Sequence, residues 1–526
     1  MQKNEKKENN RKRNSMLAVL LSMVLIFSSF LFYFNYYSDK ETFVRPTPDE
    51  EIDDRVSPYT PLAVFLEIHR IRRKGIIEHM ENSGSKIVNL LPRLSKYWSY
   101  LDGLVPGKKW QEKPTFNYIL IFDEFEYKGA REFNTWDTDY INRQVFRKVE
   151  DEQDKTSITV KFIEKEKKFL RNTENEVESF SVVYDFRTGR WSGDDFFNDS
   201  DGYGHFDGKY YEMWFTVSQT DNDGDDIPYW TEVNILKTNP TIDNSKDDPD
   251  NDKIPTTWEW KWGYDPFTWD NHSFLDPDND GLQNTEEFFM EKWLANPFYP
   301  EIYIEVDFME KTPFKLLKKN YDGQEHIFQE ESQQMLIERF NQHKITVHID
   351  DGVMGGGGEY LPLILDKINQ EDGTASEFYH NNFADERKGI FRYIFINHWG
   401  GWCHPQDDNH WYDTMAVPSA KEFYFKYLGG AVSKRTQTIG RAVQVLHELG
   451  HSCGLRYEEW QGIDNMKEGG TTWVDYHSAM NYHYFALRYF DYSDGSRGGE
   501  HDRNDWEKLN LAYFERSAKD MEGLED

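Results

Sequence analysis

The chain has 526 residues, which is too long for one ordinary domain and fits two or three. Hydrophobic residues make up 38% of the chain and aromatic residues 16%, so large cores can form and a disordered chain is excluded. With a formal net charge of -33, the chain lacks the basic surface that phosphate binding requires, and we predict no nucleic-acid partner.

The N-terminus combines a basic tail with an uncharged apolar stretch. Residues 1–15 are rich in Lys and Arg, and residues 16–34 carry no charge. A helix of that length rises about 28 Å, close to the hydrocarbon thickness of a membrane. A cleaved signal peptide is the alternative, but the bulky aromatic end of the stretch disfavours it. We predict a cytoplasmic tail over 1–15 and a single-pass signal anchor over 16–37, with the remaining chain outside the cell.

The region after the anchor is predicted to contain a linker and a β-rich domain. Residues 38–56 are polar and contain proline, which is typical of a linker. The apolar pattern over residues 61–80 predicts a helix. Several segments between residues 115 and 217 alternate apolar with polar residues, as strands do. We therefore predict a β-sandwich-like accessory domain over 57–217.

An acidic twelve-residue pattern occurs three times within residues 218–299, starting at Asp221, Asp248 and Asp276. Each copy has Asp at positions 1, 3 and 5, an aliphatic residue at 7 and Glu at 12. Calcium takes roughly six to eight oxygen ligands, which alternating carboxylates and a final Glu supply. An acidic linker is the alternative. The predicted calcium ligands are Asp221, Asp223, Asp225, Glu232, Asp248, Asp250, Asp252, Glu259, Asp276, Asp278, Asp280, Asn284 and Glu287.

The third copy alone has glycine at position 6, Gly281, where the others have Asp226 and Lys253. We therefore expect the first two loops to turn less easily and the third to bind calcium most tightly. The repeated segment resembles thrombospondin type 3 and other EF-hand-like extracellular calcium repeats.

The clearest catalytic signal is the sequence HELGH within residues 436–455, where apolar spacing predicts a helix. His447 and His451 are four residues apart and share one helix face, so both imidazoles can reach one metal ion. Glu448 lies between them and is placed to take a proton from a water molecule. This pattern predicts a zinc-dependent hydrolase.

The residues that follow make the zinc pattern more specific. Gly454 comes three residues after His451, and Ser478-Ala-Met-Asn-Tyr482 lies farther on. Together they resemble the metzincin metallopeptidases over about residues 300–526. The resemblance implies that Met480 forms the Met-containing turn beneath the zinc. It also implies that Tyr482 contacts zinc or stabilises the reaction intermediate.

The third zinc ligand departs from the metzincin pattern. The family places His or Asp six residues after the second histidine, and this chain has Tyr457 there. Three alternatives remain open: Tyr457 itself is the ligand, a loop delivers another side chain, or the site is damaged. The candidates for delivery by a loop are Glu458, Asp464 and His477.

The rest of the predicted peptidase domain, residues 300–526, alternates strands and helices. The chain is thus predicted to be multidomain α+β with a metzincin-like α/β catalytic domain. Residues 414–419 are a candidate edge strand that could align a peptide substrate. The other segments are strands over 302–309, 345–350 and 389–398 and a helix over 331–342.

The predicted function is a membrane-anchored extracellular zinc endopeptidase that uses Zn²⁺ and Ca²⁺ and cleaves protein or peptide substrates. The alternative is an inactive metallopeptidase-fold surface protein for adhesion or scaffolding, which Tyr457 favours and an intact Glu448 disfavours. The only cysteines, Cys403 and Cys453, could form one disulfide or remain two buried thiols.

Overall fold

The computed structural model describes most of the chain after the predicted anchor. The described residues are 53–82, 111–129, 131–150, 153–166, 173–196, 202–314, 323–370, 373–406, 412–419, 434–465 and 473–515. The predicted tail and anchor, residues 1–37, lie outside these ranges, as does most of the predicted linker. Within them, no helix is long and apolar enough to cross a membrane. The described chain is multidomain and mixed α/β, with three β-sheets.

Two antiparallel sheets form the N-terminal half and share one apolar core. Leu66 on one sheet and Phe162 on the other are both fully enclosed in this core. The strands are β1 (Ala63–Arg73), β2 (Thr115–Phe122), β3 (Phe125–Lys128), β4 (Phe133–Asn134), β5 (Arg143–Lys148), β6 (Lys155–Glu166), β7 (Thr173–Asp185), β8 (Arg190–Gly193), β9 (Gly204–Asp207) and β10 (Tyr211–Gln219). One sheet has the order β5-β1-β10-β9. The other has the order β3-β2-β6-β7-β8, with β4 beside β2.

The prediction of a helix over residues 61–80 is wrong for most of that stretch. Its first half is strand β1, and only α1 (Ile76–Asn82) is helical. Val64, Leu66 and Ile68 are buried and alternate with partly exposed residues, which is the period of a strand. Pairing of β1 with both β5 and β10 stabilises the extended form, so tertiary contacts override the local pattern.

The three acidic loops follow the sandwich, and each leads into a short helical segment. These segments are α2 (Tyr229–Thr231) with a π-helical turn (Glu232–Leu236), α3 (Thr256–Trp262), and α4 (Asn284–Met290) with a 3-10 turn (Glu291–Trp293). The last residues of the predicted linker already contact this region, because Asp53 accepts a hydrogen bond from Tyr229 and donates one to Asn234.

The third sheet belongs to the C-terminal part of the described chain. Its strand order is β12-β11-β14-β16-β15, with β13 beside β11. Its strands are parallel except β15, which runs antiparallel to β16. The strands are β11 (Glu301–Met309), β12 (Thr346–Asp350), β13 (Tyr360–Leu361), β14 (Phe391–Asn397), β15 (Trp402–His404) and β16 (Thr414–Pro418). The helices are α5 (Glu330–Asn341), α6 (Gly373–Asn382), α7 (Lys434–Ser452) and α8 (Tyr482–Ala486). Further 3-10 turns are Asp385–Arg387, Trp506–Lys508 and Leu511–Glu515.

The prediction that residues 414–419 form the edge strand is wrong. They form β16, which lies between β14 and β15, and the edge position belongs to Trp402–His404. The chain reaches that edge through Gly400, whose φ of +129° favours glycine, and then runs antiparallel to β16.

Helix α1 joins the sandwich to the third sheet. Glu338 on α5 accepts hydrogen bonds from the backbone nitrogens of Gly75 and Ile76, both at 2.7 Å. Ile76 is buried in the same core as α5 and α7. A second buried contact runs from Asn341 Nδ2 to Glu212 Oε1 at 2.8 Å. The accessory sandwich is therefore packed directly against the part that carries the HELGH helix.

Candidate active site

Helix α7 brings the two histidines of the HELGH sequence together. His447 and His451 lie one turn apart on its C-terminal half, with their ring centroids 4.9 Å apart. Their Nε2 atoms are separated by 3.3 Å. The remaining faces of the helix are buried in the apolar core, which fixes the direction in which both rings point.

The outer nitrogen of each ring is held by a backbone carbonyl. His447 Nδ1 donates to the carbonyl of Ala479 at 2.9 Å, and His451 Nδ1 donates to that of Leu455 at 2.7 Å. A carbonyl can only accept, so both protons sit on Nδ1 and both Nε2 lone pairs face each other. This is the arrangement that metal-binding imidazoles require.

Asp464 completes the group. Its carboxylate oxygens lie 3.1 Å from His447 Nε2 and 3.3 Å from His451 Nε2. Burial would raise the pKa of Asp464, but its electrostatic and hydrogen-bond interactions with His451 and His447 outweigh burial and hold the pKa well below its ordinary value. Two lone pairs and a carboxylate at this distance suit a cation, and these three side chains form a group that could hold a metal ion.

The loop carrying Asp464 is held by the segment around Met480, for which the resemblance to metzincins implies a Met-containing turn. The backbone nitrogen of Asp464 donates to the carbonyl of Met480 at 3.0 Å, and Asp464 has a φ of +53°. Met480 is fully buried against α7, and a Cβ at Gly450 would lie 2.5 Å from its Sδ atom. The absence of a side chain at Gly450 thus allows the turn to approach the helix.

Of the alternatives for a third ligand, the structure places Asp464 against both imidazoles. Tyr457 lines the same cleft with 42% of its surface exposed. The Glu458 side chain is 69% exposed, and the His477 ring packs on Tyr484 with their centroids 4.1 Å apart. Asp464 lies thirteen residues after His451 in a loop without a recognisable sequence pattern. Only the folded structure distinguishes it from the other candidate ligands.

Glu448 and Tyr482 flank the three-residue group. Burial and the nearby Asp464 raise the pKa of Glu448 to about 8, against the opposing effect of His447, and a cation in the group would lower it. Burial and the carboxylates of Asp464 and Glu448 raise the pKa of Tyr482 far above its ordinary value. Its hydroxyl therefore stays protonated as a donor. The Tyr482 ring lies over that of His447 at 5.3 Å.

These groups line an open cleft of about 310 Å³ that also includes Gly401 and the first two residues of β15, Trp402 and Cys403. The edge strand and the HELGH helix thus face the same space. Cys403 and Cys453 are both buried and both free, so this structure has two thiols and no bridge between them.

The three acidic loops share one backbone geometry. In each, the amide of position 6 donates to the Asp at position 1, at 3.0 Å in the first two loops and 3.1 Å in the third. Position 6 has a positive φ in all three: 64° at Asp226, 86° at Lys253 and 96° at Gly281. Asp226 and Lys253 therefore make the same turn as the glycine, at the cost of some backbone strain.

The final Glu of each loop is buried without enough hydrogen-bond partners. Both carboxylate oxygens of Glu259 and Glu287, and one of Glu232, lack a partner, and all three residues are at most 1% exposed. Burial raises the pKa of Glu232 to about 8 and of Glu259 to about 7, with neighbouring Asp residues adding to the effect. Buried carboxylates of this kind fit a cation.

The loops bring together most of the predicted ligands. The groups that could hold a metal ion are Asp221, Asp223, Asp225 and Glu232; Asp248, Asp250 and Asp252; and Asp276, Asp278 and Asp280. A further group adds His272 to Asp252 and Glu259, which sequence reasoning missed because His272 lies thirteen residues beyond the last residue of its loop, Glu259. Asn284 packs on this histidine, with its Nδ2 atom 2.8 Å from His272 Nδ1.

Comparison with known proteins leaves the family open. No family model and no curated protein matches the chain. Among solved structures, "Structure of Drosophila C2-DSL-EGF1" is 7% identical with a TM-score of 0.17, covering 30% of this chain and 68% of that one. A structure of two C2 domains of Extended-Synaptotagmin 2 is 9% identical with a TM-score of 0.16, covering 33% of this chain and 47% of that one. Scores this low carry no argument about fold or function.

Proposed function

We propose that the chain is a metzincin-like zinc endopeptidase, anchored in the cell membrane through residues 16–37 and acting on extracellular protein. The observation that carries this proposal is the convergence of His447, His451 and Asp464 beside the buried Glu448 in an open cleft. Hydrolysis of casein by the zinc-loaded full chain, absent from the Glu448→Gln variant, is the test.

Zinc suits this group of side chains. Two imidazole nitrogens and a carboxylate match the ligands that zinc prefers, and three protein ligands leave a position open for chemistry. Bound by His447, His451 and Asp464, zinc would act as a Lewis acid toward water and the scissile carbonyl. The carbonyls of Ala479 and Leu455 hold the two rings in the required orientation.

The remaining steps belong to the chain's own residues. Glu448, ionised beside a cation, accepts a proton from the attacking water and passes it to the leaving amine. Tyr482 keeps its proton and donates a hydrogen bond to the substrate carbonyl oxygen as that atom gains negative charge. Both groups line the same cleft as the three ligands, so a peptide bound there would lie beside them.

Strand β15 is suited to align the substrate. It is the edge of the third sheet, and its first residues line the cleft. An extended peptide can pair with such an edge through backbone hydrogen bonds, which position the peptide bond without demanding a particular sequence.

The scaffold alternative loses its main support in this arrangement. It rested on the absence of a usual third ligand at Tyr457, whereas Asp464 offers a carboxylate to both imidazoles. The buried Glu448 has no role in a purely structural metal site, because such a site needs no general base. We therefore favour the peptidase.

We further propose that the three loops bind calcium and stiffen the connection between the sandwich and the peptidase part. The third loop is tied directly to the third sheet, because the backbone nitrogen of Glu301 on β11 donates to Asp280 at 2.7 Å. In the first loop, Asp225 accepts from Asn244, and in the second Asp252 accepts from Asp270. An ion in each loop would fix these contacts.

Removing calcium is expected to lower the melting temperature by roughly 10 °C, because an ion that binds only the folded state stabilises it by mass action. The loss should grow from pH 5 to pH 8. Without calcium, the folded pKa values of Glu232 and Glu259 lie above the ordinary carboxyl pKa of about 4, so the folded state holds more protons than the unfolded state. Stability then falls as pH rises.

Thermal unfolding of the full chain in detergent, with and without chelator at several pH values, measures this effect. Added calcium should restore the melting temperature, whereas added zinc alone should not. A melting temperature that ignores both chelator and calcium at pH 8 would rule out calcium in the loops.

A further inference from the structure

Arg456 is the only Lys or Arg among the described residues that line the cleft. It shares the cleft with three carboxylates, those of Glu448, Glu458 and Asp464. Its backbone follows Leu455, whose carbonyl accepts the Nδ1 proton of His451. Within the described part of the chain, one cation thus lines the same cleft as the three-residue group, in a protein whose net charge is -33.

Aromatic side chains hold the Arg456 guanidinium in place. Its Cζ atom lies 4.5 Å from the ring centroid of Tyr412, and Nη1 donates to the hydroxyl of Tyr513 at 3.2 Å. Tyr513 is itself buried, packed against the end of α7 at Gly454. An arginine held in this way loses little conformational freedom when it binds a ligand.

Most of the hydrogen-bonding capacity of Arg456 remains available to a ligand. A guanidinium carries five N–H donors, and Tyr513 takes one of them. Glu458 approaches Nε only to 3.5 Å and its side chain is 69% exposed. Although the Arg456 side chain is only 24% exposed, the Glu458 carboxylate is largely in water at this distance, so the pair is weak and a substrate can displace it.

We propose that Arg456 makes the enzyme selective for a carboxylate of the substrate close to the scissile bond. The carboxylate is carried either by an Asp or Glu side chain or by the C-terminal end of the peptide. The planar guanidinium matches a carboxylate through two parallel hydrogen bonds, a geometry that neutral side chains do not reproduce. This inference rests on the proposed peptidase function and names its substrate class.

The test uses a set of quenched fluorescent peptides in which one position carries Glu, Gln or Lys. Separate peptides place this residue at each of the three positions on either side of the cleaved bond. Each peptide is made with a free and with an amidated C-terminus. At the best position, the full chain should show a kcat/KM about 10- to 100-fold higher for Glu than for Gln. Salt should reduce this preference. A preference that requires a free C-terminus would assign the carboxylate to the chain end.

The Arg456 variants then locate the preference. In Arg456→Gln, the ratio between Glu and Gln peptides should fall to about one. Arg456→Glu should favour the Lys peptide, a gain that misfolding cannot produce. Lys508→Gln makes the same change of charge at an exposed residue outside the cleft lining and should keep the original preference.

The outcomes separate this inference from the function on which it rests. Equal cleavage of Glu, Gln and amidated peptides by the unaltered chain would overturn the role of Arg456 and leave the peptidase intact. A preference for Glu that survives in Arg456→Glu would also overturn it. Cleavage of no peptide and no unfolded protein would overturn the proposed function, and the inference with it.

Discussion

Replacing Glu448 with Gln is expected to lower kcat/KM on unfolded protein by about 10²–10⁴-fold or more while bound zinc stays unchanged. Glutamine keeps the size of the side chain but cannot accept a proton from water. The ligands are unaffected, because His447, His451 and Asp464 converge without any contribution from Glu448. Zinc content by mass spectrometry and initial rates on casein measure the two effects on the same preparation.

The matched control for Glu448→Gln is Glu458→Gln, which makes the same chemical change on a largely exposed side chain in the same cleft. It should retain zinc and lower kcat/KM far less than Glu448→Gln does. A Glu448→Gln variant as active as the unaltered chain would contradict the assigned general base. Loss of zinc from this variant would instead make Glu448 a ligand.

Asp464→Ala is expected to weaken zinc binding by more than about 100-fold and to remove activity with it. Replacing a residue that only hydrogen-bonds to a metal ligand typically lowers metal affinity by up to about 100-fold. We expect a larger loss for Asp464, because its carboxylate contacts both ligand nitrogens directly. Tyr457→Phe removes the oxygen at the usual family position and should leave zinc bound. Competition with a chromogenic zinc chelator measures both affinities.

A reversed result would restore the sequence-based alternative. If Tyr457→Phe loses zinc and Asp464→Ala keeps it, the tyrosine is the third ligand and the loop rearranges when the ion binds. His451→Ala provides the reference for complete ligand loss, since His451 is part of both alternatives.

The helix that carries the site could be predicted from local sequence. The apolar residues around His447 and His451 repeat at helical spacing, and α7 spans Lys434–Ser452 with that face in the core. The position of Met480 beneath the helix is also consistent with its predicted role, because Gly450 leaves room for it. The helix depends on short spacing, which a sequence displays directly, whereas the role of Met480 is implied by the resemblance to metzincins.

The third member of the site could not be singled out in this way. Asp464 reaches the imidazoles because its backbone nitrogen is held by the carbonyl of Met480, sixteen residues later. No spacing rule links these two residues, and Tyr457 occupies the position that a motif would suggest. The identity of this candidate ligand is a property of the loop fold rather than of the helix.

Strand β1 and the sheet edge show a different limit. Residues 63–73 satisfy both a helical and an alternating pattern, and pairing with two distant strands decides between them. The edge strand Trp402–His404 is too short to be recognised from sequence, so residues 414–419 took its place in the prediction. Both errors arise because sheet pairing joins residues that are far apart in the chain.

Titration of zinc into the metal-free full chain, with calcium held constant and casein hydrolysis followed, tests the central claim most directly. The account predicts that activity rises in proportion to added zinc and reaches a plateau at about one ion for the group His447, His451 and Asp464. Zinc-loaded protein that leaves casein intact, or hydrolysis that persists after zinc has been removed, would contradict it.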